Sequence, residues 1–203
     1  MKPITLALLP LLASLAACNS LSPEECLMAD WDLIGFEDGS LGHELSRIGQ
    51  HRQACATHGV TPDLPRYEAG YARGIRTFCT WDKGFTRGRA GGDYNGQCPA
   101  DLAGTFLDGY SAGLELHQLD SQIQALDSDM RRLDRNLNQL EKRIAEKEKQ
   151  LVIDGTTPER RSALLAEIEQ LREEQFDDGV LFSELLLQRD LLELDLQDLQ
   201  AQY

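Results

Sequence analysis

Cysteines are the residues of this sequence whose type and spacing most clearly predict chemistry. The first of the five, Cys18, follows Leu15-Ala16-Ala17 at the end of a short apolar run. Small residues before a cysteine at this point are typical of a lipobox, where the signal peptide is cleaved and the cysteine is acylated, for example with palmitate. We therefore predict a signal peptide over residues 1–17 and a lipid anchor on Cys18. The alternative is an ordinary secretory peptide followed by a chance cysteine.

The anchor also predicts a compartment. The apolar run from Ile4 to Leu15 is too short to span a bilayer as a stable helix. Asn19 follows the cysteine, where the usual inner-membrane retention signal is an aspartate. We therefore predict an outer-membrane lipoprotein that faces the periplasm.

The four remaining cysteines should form two disulfides, because an even number in an oxidising compartment favours pairing. Three pairings are possible. Cys26 lies near the start of the first predicted helix and Cys55 near the end of the second, which is where antiparallel helices meet. Cys79 ends the third helix and Cys98 opens the fourth. We predict the pairs Cys26–Cys55 and Cys79–Cys98.

Other chemistry-bearing patterns are weak. His51, Cys55 and His58 share one helical face at a spacing that zinc could use. Only three ligands are present, however, and Cys55 has a disulfide partner. Asp177-Asp178 lies on a solvated helix, with nothing to separate the two pKa values. We predict no metal, no cofactor and no enzyme activity.

Helices must position these residues. Pro, Gly and capping residues divide residues 22–113 into four predicted helices, with the Gly-rich stretch 80–97 as a loop. The first helix should stop at Asp38-Gly39. The predicted helices cover about 22–36, 43–58, 61–79 and 98 onward.

An aromatic residue followed by two glycines recurs in this region. Glycine inside a helix costs about 1 kcal/mol relative to alanine. We therefore expect the glycines to form smooth grooves that accept another helix at close range. The copies are Tyr67-x-x-Gly70-x-x-x-Gly74, Trp81-x-x-Gly84-x-x-x-Gly88 and Phe106-x-x-Gly109-x-x-x-Gly113, with Trp31-x-x-x-Gly35-x-x-x-Gly39 as a looser copy.

Residues 114–203 have a different pattern, in which apolar residues alternate in steps of four and three. This spacing predicts a coiled-coil seam. Asp154-Gly155 ends the first arm, and Thr157-Pro158 begins the second, so the turn lies at about 154–158. The seam residues are Leu119, Ile123, Leu126, Met130, Leu133, Leu137, Leu140 and Ile144, answered by Leu164, Ile168, Leu171, Phe182, Leu185, Leu192, Leu196 and Leu199.

The two seams match when the second arm folds back on the first. Ile144 falls opposite Ile168, and Leu140 opposite Leu171. The layer of Leu133 and Asp178 is a predicted soft point. The predicted fold is all-α: a small disulfide-stapled helical domain (18–113) followed by a long antiparallel coiled-coil hairpin (114–203).

The second arm carries more leucines than a two-helix hairpin can bury. Extending the register places Tyr203 opposite Gly109, so the tail should return to the fourth helix, which should run unbroken into the first arm. Leu187, Leu191 and Leu194 remain as a candidate partner surface for a second copy or another envelope protein. We therefore expect a structural or adaptor protein.

Charge excludes one class of partner. The net charge of −14 makes nucleic acid an improbable ligand. Residues 66–89 are locally basic, whereas residues from Glu173 onward are strongly acidic. The alternative function is therefore a binding module for peptidoglycan or lipopolysaccharide, with a cleft among Tyr67, Trp81 and Tyr94.

Residues 26–113 resemble the proteobacterial lipoprotein family known as domain of unknown function 2799. The resemblance implies a small envelope lipoprotein domain and no established activity. It is carried by Trp31, Gly35, Asp38-Gly39, Cys55, Asp63, the Tyr67–Gly74 motif, Cys79, Gly84, Gly88, Tyr94, Gly96, Cys98, Phe106, and Gly109-Tyr110-x-x-Gly113.

Overall fold

The computed structural model describes residues 20–203, and within them the chain is helical and contains no strand. The signal peptide and Cys18 lie outside the described residues. The helices are α1 (Pro23–Leu27), α2 (Trp31–Ser40), α3 (Ile48–Ala56), α4 (Leu64–Phe78), α5 (Trp81–Arg89), α6 (Ala100–Leu151) and α7 (Pro158–Gln200), with a short 3₁₀ turn at Leu45–Arg47 before α3.

Side-chain caps fix where several of these helices begin. The Ser22 hydroxyl accepts a hydrogen bond from the Glu25 backbone N–H, and the Glu25 carboxylate accepts one from the Ser22 N–H. The side chains of Asp30, Asp63 and Thr157 each accept one backbone N–H at the start of α2, α4 and α7. Each cap satisfies backbone donors that have no partner inside the helix.

Two predictions for the first helix were wrong. The predicted helix over 22–36 is split into α1 and α2, because Asp30 starts a new helix by accepting from the Asp32 N–H. The expected stop at Asp38-Gly39 does not occur either. Both residues lie inside α2 and are buried. Because Gly39 has no side chain, a neighbouring helix packs closely against it, and α2 does not end there.

The Gly-rich stretch 80–97 was predicted to be a loop. That prediction was wrong for its first half, which forms α5. Gly84 and Gly88 are buried helical residues that lie against α6. Close packing on α6 offsets the low helix propensity of glycine. The repeated aromatic-glycine spacing already contained this signal.

The chain divides into two compact units. The first ends at Thr80 and includes Tyr94–Ala103, and the second comprises Trp81–Asp93 and Gly104–Tyr203. This division differs from the predicted boundary at residue 113, because α5 packs on the segment of α6 that begins at Gly104.

In the second unit, α6 and α7 contact each other through both apolar and charged residues. One buried cluster joins Leu140 and Ile144 of α6 to Ile168 and Leu171 of α7. Further from the turn, Asp127 pairs with Arg189. Helix α6 runs unbroken from Ala100, as the sequence predicts. Among the described helices, none is long and apolar enough to cross a membrane.

Candidate functional site

Glycines allow α2 and α4 to cross with their backbones in contact. A Cβ on Gly35 would overlap the carbonyl oxygen of Tyr67, and one on Gly70 would overlap that of Asp32. Gly39 lies further along, against Tyr71 and Ile75, so the two helices run parallel. The predicted groove at Gly70 and Gly74 is therefore occupied by a helix rather than open to a ligand.

Helices α5 and α6 repeat this crossing in the second unit. Gly84 lies against the backbone of Phe106, and Gly109 against that of Trp81. Four residues further along, Gly88 meets Tyr110, and Gly113 meets Phe85. These helices are also parallel.

Each crossing is accompanied by one disulfide. Cys26 and Cys55 precede α2 and α4, and their Cα atoms lie 5.4 Å apart. Cys79 and Cys98 precede α5 and α6, with a Cα separation of 5.7 Å. These are the pairs that the helix order predicts. The described chain thus contains the same arrangement twice: a disulfide followed by a glycine-lined parallel helix pair.

A buried polar network centres on Asp38, a residue that is only 6% exposed. Its Oδ2 accepts a hydrogen bond from the Tyr67 hydroxyl at 2.7 Å and lies 2.7 Å from Nε2 of His51. Its Oδ1 lies 3.0 Å from the Arg47 Nε. Two hydrogen-bonding groups and the charge of the Arg47 guanidinium therefore surround one carboxylate, which compensates its loss of hydration.

The network shifts the pKa values of its members. Burial opposes ionisation of Asp38, but the hydrogen bonds from His51 and Tyr67 outweigh it, so the pKa of Asp38 falls below 3.8. Burial and then the hydrogen bond to Asp38 raise the pKa of Tyr67. The carboxylate thus stays ionised and the phenol neutral at physiological pH.

His51 extends the network to the chain's N-terminal side. Its Nδ1 lies 2.9 Å from the Ser20 hydroxyl, and its ring is 2% exposed. The zinc spacing noted in the sequence is used differently, since Cys55 is in a disulfide and His58 is exposed. No cluster of three metal-ligating side chains occurs within residues 20–203. The signal for this network was not visible in the sequence, because its members come from three separate helices and a 3₁₀ turn.

The residues proposed for a ligand cleft differ in exposure and position. Tyr67 is fully buried, and Trp81 belongs to the other compact unit. Four arginines of the basic stretch form ion pairs with nearby aspartates. These pairs are Arg66–Asp30, Arg73–Asp32, Arg76–Asp101 and Arg89–Asp120.

The apolar side of α7 is exposed in the second unit. Leu187, Leu191 and Leu194 are 63%, 55% and 58% exposed. Phe176 and Val180 continue the same helical face at intervals of four and seven residues, and they line a shallow groove with Leu187. We call the surface of these five side chains the α7 face.

The end of α7 lies against α5, whereas the sequence predicts that it packs on the glycines of α6. The ring of Tyr203 lies 5.9 Å from Trp81 and 5.7 Å from Phe85, between ring centroids. Those two residues are the ones that face Gly109 and Gly113 across the α5–α6 crossing. The tail of α7 therefore reaches α5, which itself covers Gly109 and Gly113 of α6.

Fold and site together define a class: a protein that is all-helical within residues 20–203, with two disulfides and two glycine crossings. Residues 30–115 match the family described as protein of unknown function (DUF2799). The matched segment encloses all eight glycines of the two crossings, and the resemblance to domain of unknown function 2799 is confirmed for it. No curated protein and no solved structure matches the chain.

Proposed function

We propose that this protein is an outer-membrane lipoprotein, anchored through Cys18, that acts as a structural or adaptor protein in the periplasm. Its disulfides suit an oxidising compartment. The partner surface is the α7 face, and this exposed surface is the observation that carries the proposal.

We further propose that α6 and α7 form a long antiparallel coiled-coil hairpin. The cluster of Leu140, Ile144, Ile168 and Leu171 supports it near the turn. Asn136 donates a hydrogen bond to Asp178 at 2.6 Å. This bond gives the Asp178 carboxylate a partner in the layer that was predicted to be a soft point. With 43 residues in α7, the arm would reach about 65 Å at ~1.5 Å per residue.

The α7 face is too apolar to remain bare. Its five large side chains lie along one side of a single helix, and a fully buried leucine contributes about 1.5–3 kcal/mol. The simplest occupant is a second copy of this chain, forming a symmetric pair. Glu184, which lines the groove of this face, and the net charge of −14 oppose that pairing, so salt should strengthen it by screening.

The anchor is tested by replacing Cys18. Cys18→Ala should release or misprocess the protein, and the native form should carry acyl mass on that residue. Unchanged membrane fractionation, with no acyl mass on Cys18, would refute the lipoprotein proposal.

The partner surface is tested by photocrosslinking in cells. A photoreactive residue at Leu187, Leu191 or Leu194 should capture one discrete partner. Val152, which is 80% exposed but lies outside the α7 face, is the matched control. Equal capture at Val152, or none at the three leucines, would contradict the adaptor proposal.

A further inference from the structure

The N-terminal end of the described chain is fixed to the first compact unit, which holds both disulfides and is called the disulfide domain below. Ser20 bonds to His51, which is itself held by the buried Asp38. One helical turn along α3 from His51, Cys55 forms the disulfide with Cys26. Residues 20–26 are therefore tied to α3 at both ends, and the capping box of Ser22 orders the segment between.

This attachment leaves little chain between the domain and the proposed lipid. Cys18 precedes Ser20 by two residues, which span at most about 7 Å even when fully extended. A lipid-bearing Cys18 lies at the bilayer boundary. The part of the domain that holds Ser20 must then lie within the headgroup layer.

Two exposed apolar side chains lie close to this point. Leu27 and Met28 are 69% and 86% exposed, the highest values among the large apolar residues described in the first unit. They follow directly on Cys26, whose side chain is buried in the disulfide. By the reach of the chain, Met28 lies no more than about 16 Å from Ser20.

We propose that the disulfide domain is seated directly on the lipid bilayer, with Leu27 and Met28 inserted at the headgroup boundary and the Ser20–His51–Asp38 contacts acting as a latch that holds this orientation. The inference rests on the proposed lipid anchor at Cys18. Glu24 and Glu25 lie beside the apolar pair, so insertion depends on apolar burial and not on attraction to anionic lipid. Seating therefore persists at high salt.

The test places a fluorescent label on the lipidated, disulfide-bonded chain in phosphatidylethanolamine–phosphatidylcholine vesicles that contain a spin-labelled lipid quencher. The label is attached at Met28→Cys, and at Leu41→Cys as control. Leu41 is 66% exposed and lies at the opposite end of α2. We expect lipid quenching at position 28 to be about two-fold or more above that at position 41, at low and high salt alike.

The latch is tested by adding Ser20→Ala to the Met28→Cys chain. This change removes one hydroxyl without disturbing Asp38, Tyr67 or the disulfides, so quenching at position 28 should fall toward the control value. Unchanged quenching would overturn the latch.

Acyl mass on Cys18, measured on the same sample, separates the two proposals. An acylated chain whose positions 28 and 41 are quenched equally overturns the seating alone. A chain without acyl mass overturns the lipoprotein proposal and the seating with it.

Discussion

At the scale of single residues, the helix packing of this protein depends on glycines, because they have no side chain. At Gly70, the space that a Cβ would fill is occupied by the Asp32 backbone, whereas at Gly104 no atom lies within 4 Å. Both residues lie inside helices. Their substitutions should therefore have opposite effects on stability.

Gly70→Ala should lower the free energy of unfolding by about 1–3 kcal/mol or more, because α2 and α4 must separate. Gly104→Ala should raise it by about 0.5–1 kcal/mol through reduced unfolded-state entropy. Urea unfolding of a soluble form beginning at residue 19 measures both changes. Equal effects from the two variants would contradict the backbone crossing.

The pKa of Asp38 predicts how the stability of the protein depends on pH. Its pKa is lower in the folded state, so its contribution is fully present above the ordinary value of 3.8 and is lost as pH falls through the folded pKa. Asp38→Asn should destabilise the protein by about 2–3 kcal/mol at pH 7. The difference in the free energy of unfolding between the unsubstituted protein and the Asp38→Asn variant should narrow as the pH falls. Urea midpoints from pH 7 to pH 2 measure it, and a constant gap would refute the assignment.

At the scale of elements, the two disulfides close the ends of the two helix pairs. The bridged residues are 29 and 19 positions apart. Closing loops of this size restricts the conformations of the unfolded chain. Each disulfide also holds together the starts of the two helices that cross. Sequence order alone could not show that the pairs run parallel.

Replacing Cys79 and Cys98 together by alanine should cost about 3–4 kcal/mol in the chain-entropy model, and the Cys26/Cys55 double variant should cost a similar amount. Thermal or urea unfolding under oxidising conditions measures both losses. Non-reducing peptide mapping checks the pairing itself. Free thiols, or a peptide joining Cys55 to Cys79, would be incompatible with it.

At the scale of the whole molecule, the proposed pairing through the α7 face predicts the oligomeric state. The soluble form beginning at residue 19 should be a dimer at micromolar concentration by light scattering. Raising salt from about 0.05 M to about 0.5 M should strengthen a pair of like-charged copies, whereas it would weaken binding to a basic partner.

The matched variants for this prediction are Leu187→Glu/Leu191→Glu, which should be monomeric, and Val152→Glu, which should remain dimeric. Circular dichroism should show equal helix content in all three proteins. A strict monomer of the unsubstituted chain would end the self-association proposal and leave another envelope protein as the occupant.

Much of this protein was determined by local sequence. Heptad spacing, N-caps such as Thr157-Pro158, and the order of cysteines along helices depend on neighbouring residues, so α6, α7 and the disulfide pairs could be predicted. The glycine spacing predicted close helix approach for the same reason.

Tertiary structure decided what depends on distant partners. Helix α5 forms despite Gly84 and Gly88, because α6 supplies the packing that local propensity lacks. Asp38 became the centre of a buried network rather than a helix stop, because His51 and Tyr67 reach it from other helices. A charge in a core is tolerable only with such donors, and no pattern of neighbouring residues records where they come from.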